Sequence, residues 1–410
     1  MSHFDLLIIG GGMVGASLAC ALRPLVVERG LRLGIIESQP LAETSEAPQQ
    51  PSYDARSTAL SWGTRLIYER LGLWSGLAAG ATPIHSVEVS DRGHFGTSRL
   101  HSREMGTEAL GYVVENRWLG SVLHAALQND PSIEWLCPAQ VEQIVACETG
   151  MQLGVRDGEG LQQLTAGLTL LADGGRSELA RQLGIRQHSS DYQQRALIAN
   201  VTTGKPHRGV AYERFTDEGP MALLPLSGGR SALVWTLPET EAGRVMALDD
   251  AAFLQRLQAR FGYRLGRLER VGERFSYPLS LKWATEQVRP GLVVMGNAAH
   301  SLHPVAGQGY NLALRDLMTL VRVLQQGLAE GRAAGELALL RRYLELQQQD
   351  QWRTVGFSDW VVRLFSGQRS LLSPLRGLGL LGLELTPPAK HWFTRQAMGL
   401  VGEPGHAGRD

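Results

Sequence analysis

Two glycine-rich turns, far apart in the chain, hold the residues whose types and spacing best suit chemistry. The first is GGGMVG at 10–15, where Gly10, Gly12 and Gly15 fall at the spacing G-x-G-x-x-G. In such a turn the first glycine permits a tight bend and the second lets a pyrophosphate approach the backbone. The third lets the following helix pack on the preceding strand. Phosphate charge then meets free amides at a helix N-terminus. Glu37 follows about 20 residues later, where a carboxylate binds both hydroxyls of an adenosine ribose. That acid would face a 2'-phosphate, which argues against NADP at this turn and leaves NAD and FAD open.

The second turn lies in GNAAHSLHPVAGQGYNLALRD at 296–316. Its histidines, His300 and His303, have no cysteine or acid at ligand spacing, so no metal is expected there, and Ser301 sits on no nucleophile elbow. Gly307 and Gly309, followed by Asn311 and an apolar helical run, describe an amide-rich turn feeding a helix N-terminus. Such a turn stabilises negative charge on a bound group. Pro304 stiffens the approach and withholds one donor. No residue stands out as a general base, so the catalytic residues are left unassigned.

The elements around these turns explain how they could meet. DLLIIG reads as a short buried strand, ASLACALRP as a helix and LRLGIIE as a second strand, while LVVMG at 292–296 is another buried strand ending on glycine. Two strand ends would thus meet at the carboxyl edge of one sheet, where open α/β folds bind ligands; a dinucleotide as long as FAD would need both. In DARSTALSWGTRLIYERLGLW the helical spacing of Leu60, Thr64, Ile67 and Leu71 predicts a helix starting near Asp54 to Ser57, with Arg56 in its first turn. NRWLGSVLHAAL is a helix with Asn116, Leu119 and Leu123 on one side, and the short strands of 135–172 close at Asp173 and Gly174 before a further helix in SELARQLGI. RALIANVTT, GVAYERFT and MALLPLSGGRSALVWTL, with the amphipathic helix DDAAFLQRLQARFG, look like a separate sheet-based domain. A long helix in LALRDLMTLVRVLQQGL and a helical segment at 339–356 come last, before an apolar tail.

The expected fold is therefore α/β: a discontinuous Rossmann-like domain from 1–75, 100–180 and 284–350, an inserted mainly β-sheet substrate domain from 76–99 and 181–283, and a helical C-terminal segment at 351–410. Lys plus Arg and Asp plus Glu both number 40, so no long-range field recruits nucleic acid or an anionic membrane. Three cysteines, Cys20, Cys137 and Cys147, without a CxxC pair suit a reducing compartment. The N-terminus shows no basic leader, and no window of about 18 uncharged apolar residues occurs. The stretch LLSPLRGLGLLGLELTPPAK at 371–390 comes nearest, but Pro374, Arg376 and Glu384 interrupt it. A cytoplasmic location, with peripheral contact at the inner membrane, is the expectation.

Across nearly its whole length the chain resembles the FAD-dependent aromatic hydroxylases, the class A flavin monooxygenases, and most of all their ubiquinone-biosynthesis branch. The resemblance is carried by the glycine fingerprint with Glu37, by DARSTAL, NRWLGSVLHAAL and LLADGGRS, and by GNAAHSLHPVAGQGYNLALRD. SDRGHFG at 90–96, YERF at 212–215, GPMALLPL, FGYRLG and YPLSL are similar to the bacterial 2-polyprenyl-6-methoxyphenol hydroxylases. The resemblance implies FAD as cofactor, NAD(P)H as reductant and dioxygen as cosubstrate. It also implies hydroxylation of a polyprenyl phenol para to its hydroxyl, through a flavin C4a-hydroperoxide, to give a 1,4-benzoquinol. Alternatives are a hydroxylase for another ubiquinone precursor or aromatic, and a flavin-binding assembly subunit with little catalysis.

Carried over position by position, Gly10, Gly12 and Gly15 match the pyrophosphate glycines and Glu37 the ribose acid. Arg56 matches an arginine approaching the flavin end, and Asn116 falls where the family has Arg or Gln on FAD. Asp173 and Gly174 match an internal Asp-Gly motif, while Pro304, Gly307, Gly309 and Asn311 match the loop and helix start beside the flavin ring. Asn297 departs from the family, which has an aspartate there contacting the ribityl chain; an amide oxygen gives a weaker, uncharged bond. Tyr212, Phe215, Met221 and Trp235 are candidates either for contact with the substrate ring or tail or for the core of the middle domain, and Leu371 to Leu381 either for a surface facing a membrane or a biosynthetic assembly or for packing onto the FAD domain.

Overall fold

The computed structural model describes residues 2–40, 56–92, 97–302, 307–366, 382 and 384–400, with side chains in the stretch ending at 366 described as far as Gly356. Two large sheets organise it. The first runs in the order Val288–Arg289, Leu292–Val294, Gly160–Leu171, Ser2–Ile9, Leu33–Ile36 and Ile133–Leu136, and all but the first pairing are parallel. A strand enclosed on both faces is apolar on both, which is why LLII at 6–9 carries no alternation. Leu6, Ile8 and Leu170 pack against the helices Met13–Arg29, Asn116–Leu127 and Gln308–Ala329. Phe4, Leu7 and Ile9 face the other way, onto Val141, Ile144 and Leu153 of an antiparallel pair.

The second sheet has the order His300–Ser301, Phe275–Ala284, Gln187–Thr203, Arg230–Pro238, Pro220–Leu226, Val210–Phe215, Ser86–Asp91 and Thr97–His101. One face is sealed by the helices Glu239–Met246 and Asp250–Phe261, the second of which starts at Asp249, whose side chain accepts from Ala252 N at 2.8 Å. The opposite face turns toward the first sheet's domain, where Ala211, Leu226 and Ala232 meet Leu110, Val113 and Met398. A small sheet of Ser57–Ser61, Gly111–Glu115 and Ala81–Ile84 completes the architecture.

Several expectations need correction. Ser57–Ser61 is a strand paired with Gly111–Glu115, and the helix begins only at Trp62, where the Ser61 hydroxyl accepts from Thr64 N at 3.2 Å. The helical spacing of Leu60 is therefore accidental: strand pairing satisfies the backbone before the cap. The first helix continues past Pro24 to Arg29, and the helix expected in SELARQLGI shortens to the single turn Leu179–Gln182. Thr97–His101, which straddles the boundary expected at 99, joins the second sheet.

The C-terminal part docks on the fold. Met398 is buried, its carbonyl accepts from Gly63 N at 2.9 Å, and Lys390 pairs with Glu104 and Glu384. Leu371 to Leu381 lies outside the described residues. Among the described residues no helix is long and apolar enough to cross a membrane.

Candidate active site

The parallel strands finish in register. Ile9 stands opposite Ile36 and Leu171, Leu171 opposite Val294, and Ile36 opposite Leu136. Hydrogen bonding continues one residue further, from Gly10 N to Ile36 O at 2.8 Å, Ala172 N to Ile9 O at 2.9 Å and Met295 N to Leu171 O at 2.9 Å. Gly10, Glu37, Asp173 and Gly296 consequently emerge side by side at one sheet edge. Gly296, which opens the second glycine-rich stretch, therefore stands at the same sheet edge as the first turn.

Backbone crowding explains the first turn. Gly10 has φ +103°, and a Cβ there would lie 2.7 Å from Ala172 O; a Cβ on Gly15 would lie 1.9 Å from Gly10 O. Gly12 caps the helix without a side-chain hydrogen bond, and no acid occupies the first helical turn. A tight bend, an unobstructed backbone and helix amides with no acid beside them are what a pyrophosphate requires. Glu37 braces the turn: its Oε2 accepts from Gly11 N at 2.8 Å and its Oε1 from Gln39 N at 2.8 Å. His124 and Trp135 also reach this corner, with ring centroids 5.9 Å apart and Trp135 3.0 Å from where a Gly11 Cβ would be. Burial lowers the His124 pKa, so the ring stays neutral beside the turn. Nothing in the sequence marked these two rings, because they come from a helix and a strand joined to the turn only by folding.

The remaining expected residues divide between ligand-facing and supporting positions. Asp173 accepts from Gly175 N at 2.9 Å and Ser177 N at 3.1 Å, so its carboxylate shapes its own turn, helped by Gly174 at φ +73°. Asn297 is exposed at the sheet edge, with Gly296 against Val14 of the first helix. Asn311 is buried and fully used by the protein: Oδ1 accepts from Ser61 N at 2.8 Å and Thr64 Oγ1 at 2.7 Å, and Nδ2 donates to Ala59 O at 2.9 Å and Gly307 O at 2.7 Å. It fixes the second turn instead of offering its amide to a ligand. Gly307 takes φ +60° as the helix cap, whereas a Cβ on Gly309 would meet nothing. Pro304 and His303 lie outside the described residues.

Asn116 likewise supports: its Oδ1 accepts from Thr58 Oγ1 at 2.6 Å and its backbone N donates to Arg56 O at 2.8 Å. Arg56 stacks its guanidinium 4.8 Å from the Tyr277 ring centre and lines a cavity of about 340 Å³ with Arg117, Ile198, Asn200, Arg230 and Phe275. His300 is a buried brace, its Nε2 2.7 Å from Asp316 Oδ2, itself bonded to Gln351 Nε2 at 3.1 Å. Among the described residues no three metal-ligating side chains cluster.

The substrate-contact expectations fare unevenly. Met221 and Trp235 are fully buried against Phe253 and Leu257, and Tyr212 meets Phe261 edge-on, so these three serve the helix-covered core. The strand period of two decides this, since alternate residues face opposite sides. Ile198, Val234, Ala222, Glu213 and Val89 form a row across the other face, toward the first domain.

The profile of the family described as FAD binding domain matches residues 3–358. The ubiquinone hydroxylase UbiL of Rhodospirillum rubrum is 36% identical over 97% of this chain and 90% of its own. The 3-demethoxyubiquinol 3-hydroxylase of Escherichia coli is 28% identical over 97% and 98%. The crystal structure of p-nitrophenol 4-monooxygenase PnpA from Pseudomonas putida DLL-E4 shares the fold, with a TM-score of 0.80 over 99% of this chain and 100% of that one at 17% identity. The glycine cradle, the adjoining acid and the paired strand ends fit FAD, and the chain belongs to the FAD-dependent aromatic monooxygenases of the ubiquinone-biosynthesis family.

Proposed function

We propose that the enzyme hydroxylates a 2-polyprenyl-6-methoxyphenol para to its hydroxyl, giving the 1,4-benzoquinol. The observation that carries the reading is the partly open, mostly apolar row of Ile198, Val234, Ala222 and Val89 on the sheet face turned toward the dinucleotide domain. Small and branched side chains there leave room for a flat ring. The reactivity of the substrate supplies the position. A phenol oxygen enriches its ortho and para carbons, and here both ortho carbons already carry substituents, so the para carbon is the activated one left free.

FAD, when bound, supplies the oxygen-transferring chemistry with NAD(P)H and dioxygen. The chain's own part is to seat the pyrophosphate on the turn of Gly10, Gly12 and Gly15, hold Arg56 at the far cavity, and present the ring in a slot with little water. A second reading, hydroxylation of a later precursor, draws on the likeness to 3-demethoxyubiquinol 3-hydroxylase.

Mass analysis of products formed under isotopically labelled dioxygen separates the two. The holoenzyme is offered 2-methoxy-6-prenylphenol and, separately, a short-tailed demethoxyubiquinol. One labelled oxygen para to the phenol hydroxyl is the expected result; conversion of the quinol alone would replace this reading with the second.

A further inference from the structure

We propose that Glu213 is the base that takes the proton from the substrate's phenolic hydroxyl. The inference rests on the phenol reading above and adds to it a residue that no sequence motif marks.

Position comes first. Glu213 stands on the strand Val210–Phe215, opposite Ala222 on one side and Val89 on the other. The register continues the row through Val234 and Ile198 to Phe275. Glu213 is the only ionisable side chain in it. Ile198 and Phe275 also line the cavity holding Arg56, so the row leads from the carboxyl to the flavin side. Ile198, Val234, Glu213 and Val89 retain accessible surface. On one side the neighbouring row of the same face, Ala196, Thr236 and Phe215, is buried; on the other, Ala211 and Ala232 are buried while Val87, Leu224 and Asn200 keep some surface. The carboxyl thus lies in a partly open groove along the wall made by the buried row.

The chemistry of that position is unusual. Nearby acids are engaged: Glu88 with Arg99 and Arg264, Glu218 with Arg256 and Arg260, and Glu384 with Lys390 and Ser98. Arg214 points to the opposite face, Asp91 lies one row away on the same face, and Arg56 is stacked on Tyr277. No described residue hydrogen-bonds or ion-pairs with the Glu213 carboxyl. Burial alone pushes its pKa up to about 8. An unpaired carboxyl among apolar groups opposes folding, which is the kind of arrangement found where a proton must move.

A phenol titrates at about 10 in water, so this carboxyl is a base of nearly matched strength near neutral pH. The proton passes from the phenol oxygen to a Glu213 carboxylate oxygen. The electron pair of the O–H bond remains on the substrate oxygen and raises electron density at the para carbon. Glu213 returns the proton to solvent when product leaves through the groove.

The test compares wild-type holoenzyme with Glu213→Gln, using 2-methoxy-6-prenylphenol and a ring-fluorinated counterpart whose hydroxyl is more acidic. Wild-type kcat/KM should rise through about pH 8. The variant, checked for bound FAD, should lose this rise and fall about 100-fold with the first phenol. The more acidic phenol should recover most of that loss. A variant that keeps the wild-type rate and pH profile, or equal losses with both phenols, overturns the proposal. A wild-type enzyme converting neither phenol removes the substrate reading itself, a separate outcome. A second readout needs no variant: a wild-type kcat/KM that stays flat through about pH 8 overturns the assignment.

Discussion

Asn311 Oδ1 lies 2.8 Å from the backbone nitrogen of Ser61, joining the helix after the second glycine turn to the strand that directly follows Arg56. The other three bonds of the Asn311 amide bind Thr64, Ala59 and Gly307. One side chain thereby sets the second turn against the small sheet.

Substituting Asn311 should show this. Asn311→Asp keeps the shape but turns two donors into acceptors facing the carbonyls of Ala59 and Gly307. A loss of about 2–4 kcal/mol is expected in chemical denaturation, with weakened FAD retention. A variant as stable as wild type would mean that the turn does not depend on this amide.

Gly15→Ala should abolish flavin binding while leaving the second sheet intact. The added methyl would sit 1.9 Å from Gly10 O, a backbone atom with no freedom to retreat. Purified protein should be colourless and its FAD dissociation constant raised by at least about 100-fold, equivalent to roughly 2.7 kcal/mol. Bright yellow protein would place the pyrophosphate elsewhere.

The partly buried Glu213 carboxyl makes a stability prediction independent of catalysis. Glu213 ionises near 4.5 in an unfolded chain and at about 8 in the fold. Across that interval the unfolded state releases a proton that the folded state keeps, so wild-type stability drains away as pH rises, by up to a few kcal/mol. Glu213→Gln lacks the ionisation. Its melting temperature in substrate-free enzyme should pull ahead of wild type between about pH 5 and about pH 8. Parallel melting curves would contradict the raised pKa.

Asn297 lies exposed at the aligned strand ends, where a charged acceptor would strengthen a bond to a flavin hydroxyl. Asn297→Asp should tighten FAD about tenfold and leave the position of hydroxylation unchanged. Flavin titration checks the first expectation and product identification the second; equal dissociation constants would remove any role for this side chain in retention.

Local patterns made the dinucleotide half of the site legible. A buried strand, glycines at fixed offsets, a helix and an acid are short-range features, and steric crowding accounts for the glycines at 10 and 15. NRWLGSVLHAAL read correctly as a helix because its apolar residues recur on one side. The start of the neighbouring helix did not, since Ser57–Ser61 is held by a partner strand about 50 residues away in sequence.

The sequence alone determined that a dinucleotide binds, because phosphate recognition is built from contiguous backbone, and the family came from its resemblance along nearly the whole chain. Only the tertiary structure decided which side chains face the substrate. Tyr212 and Glu213 are adjacent in the sequence, yet the pleat sends the tyrosine toward Phe261 and the helices, and the carboxyl into the groove between domains. A pattern of apolar and polar residues does not say which face of a sheet meets helices and which meets a cofactor domain. That choice is made when distant segments pack, and it turns an ordinary strand glutamate into a desolvated base.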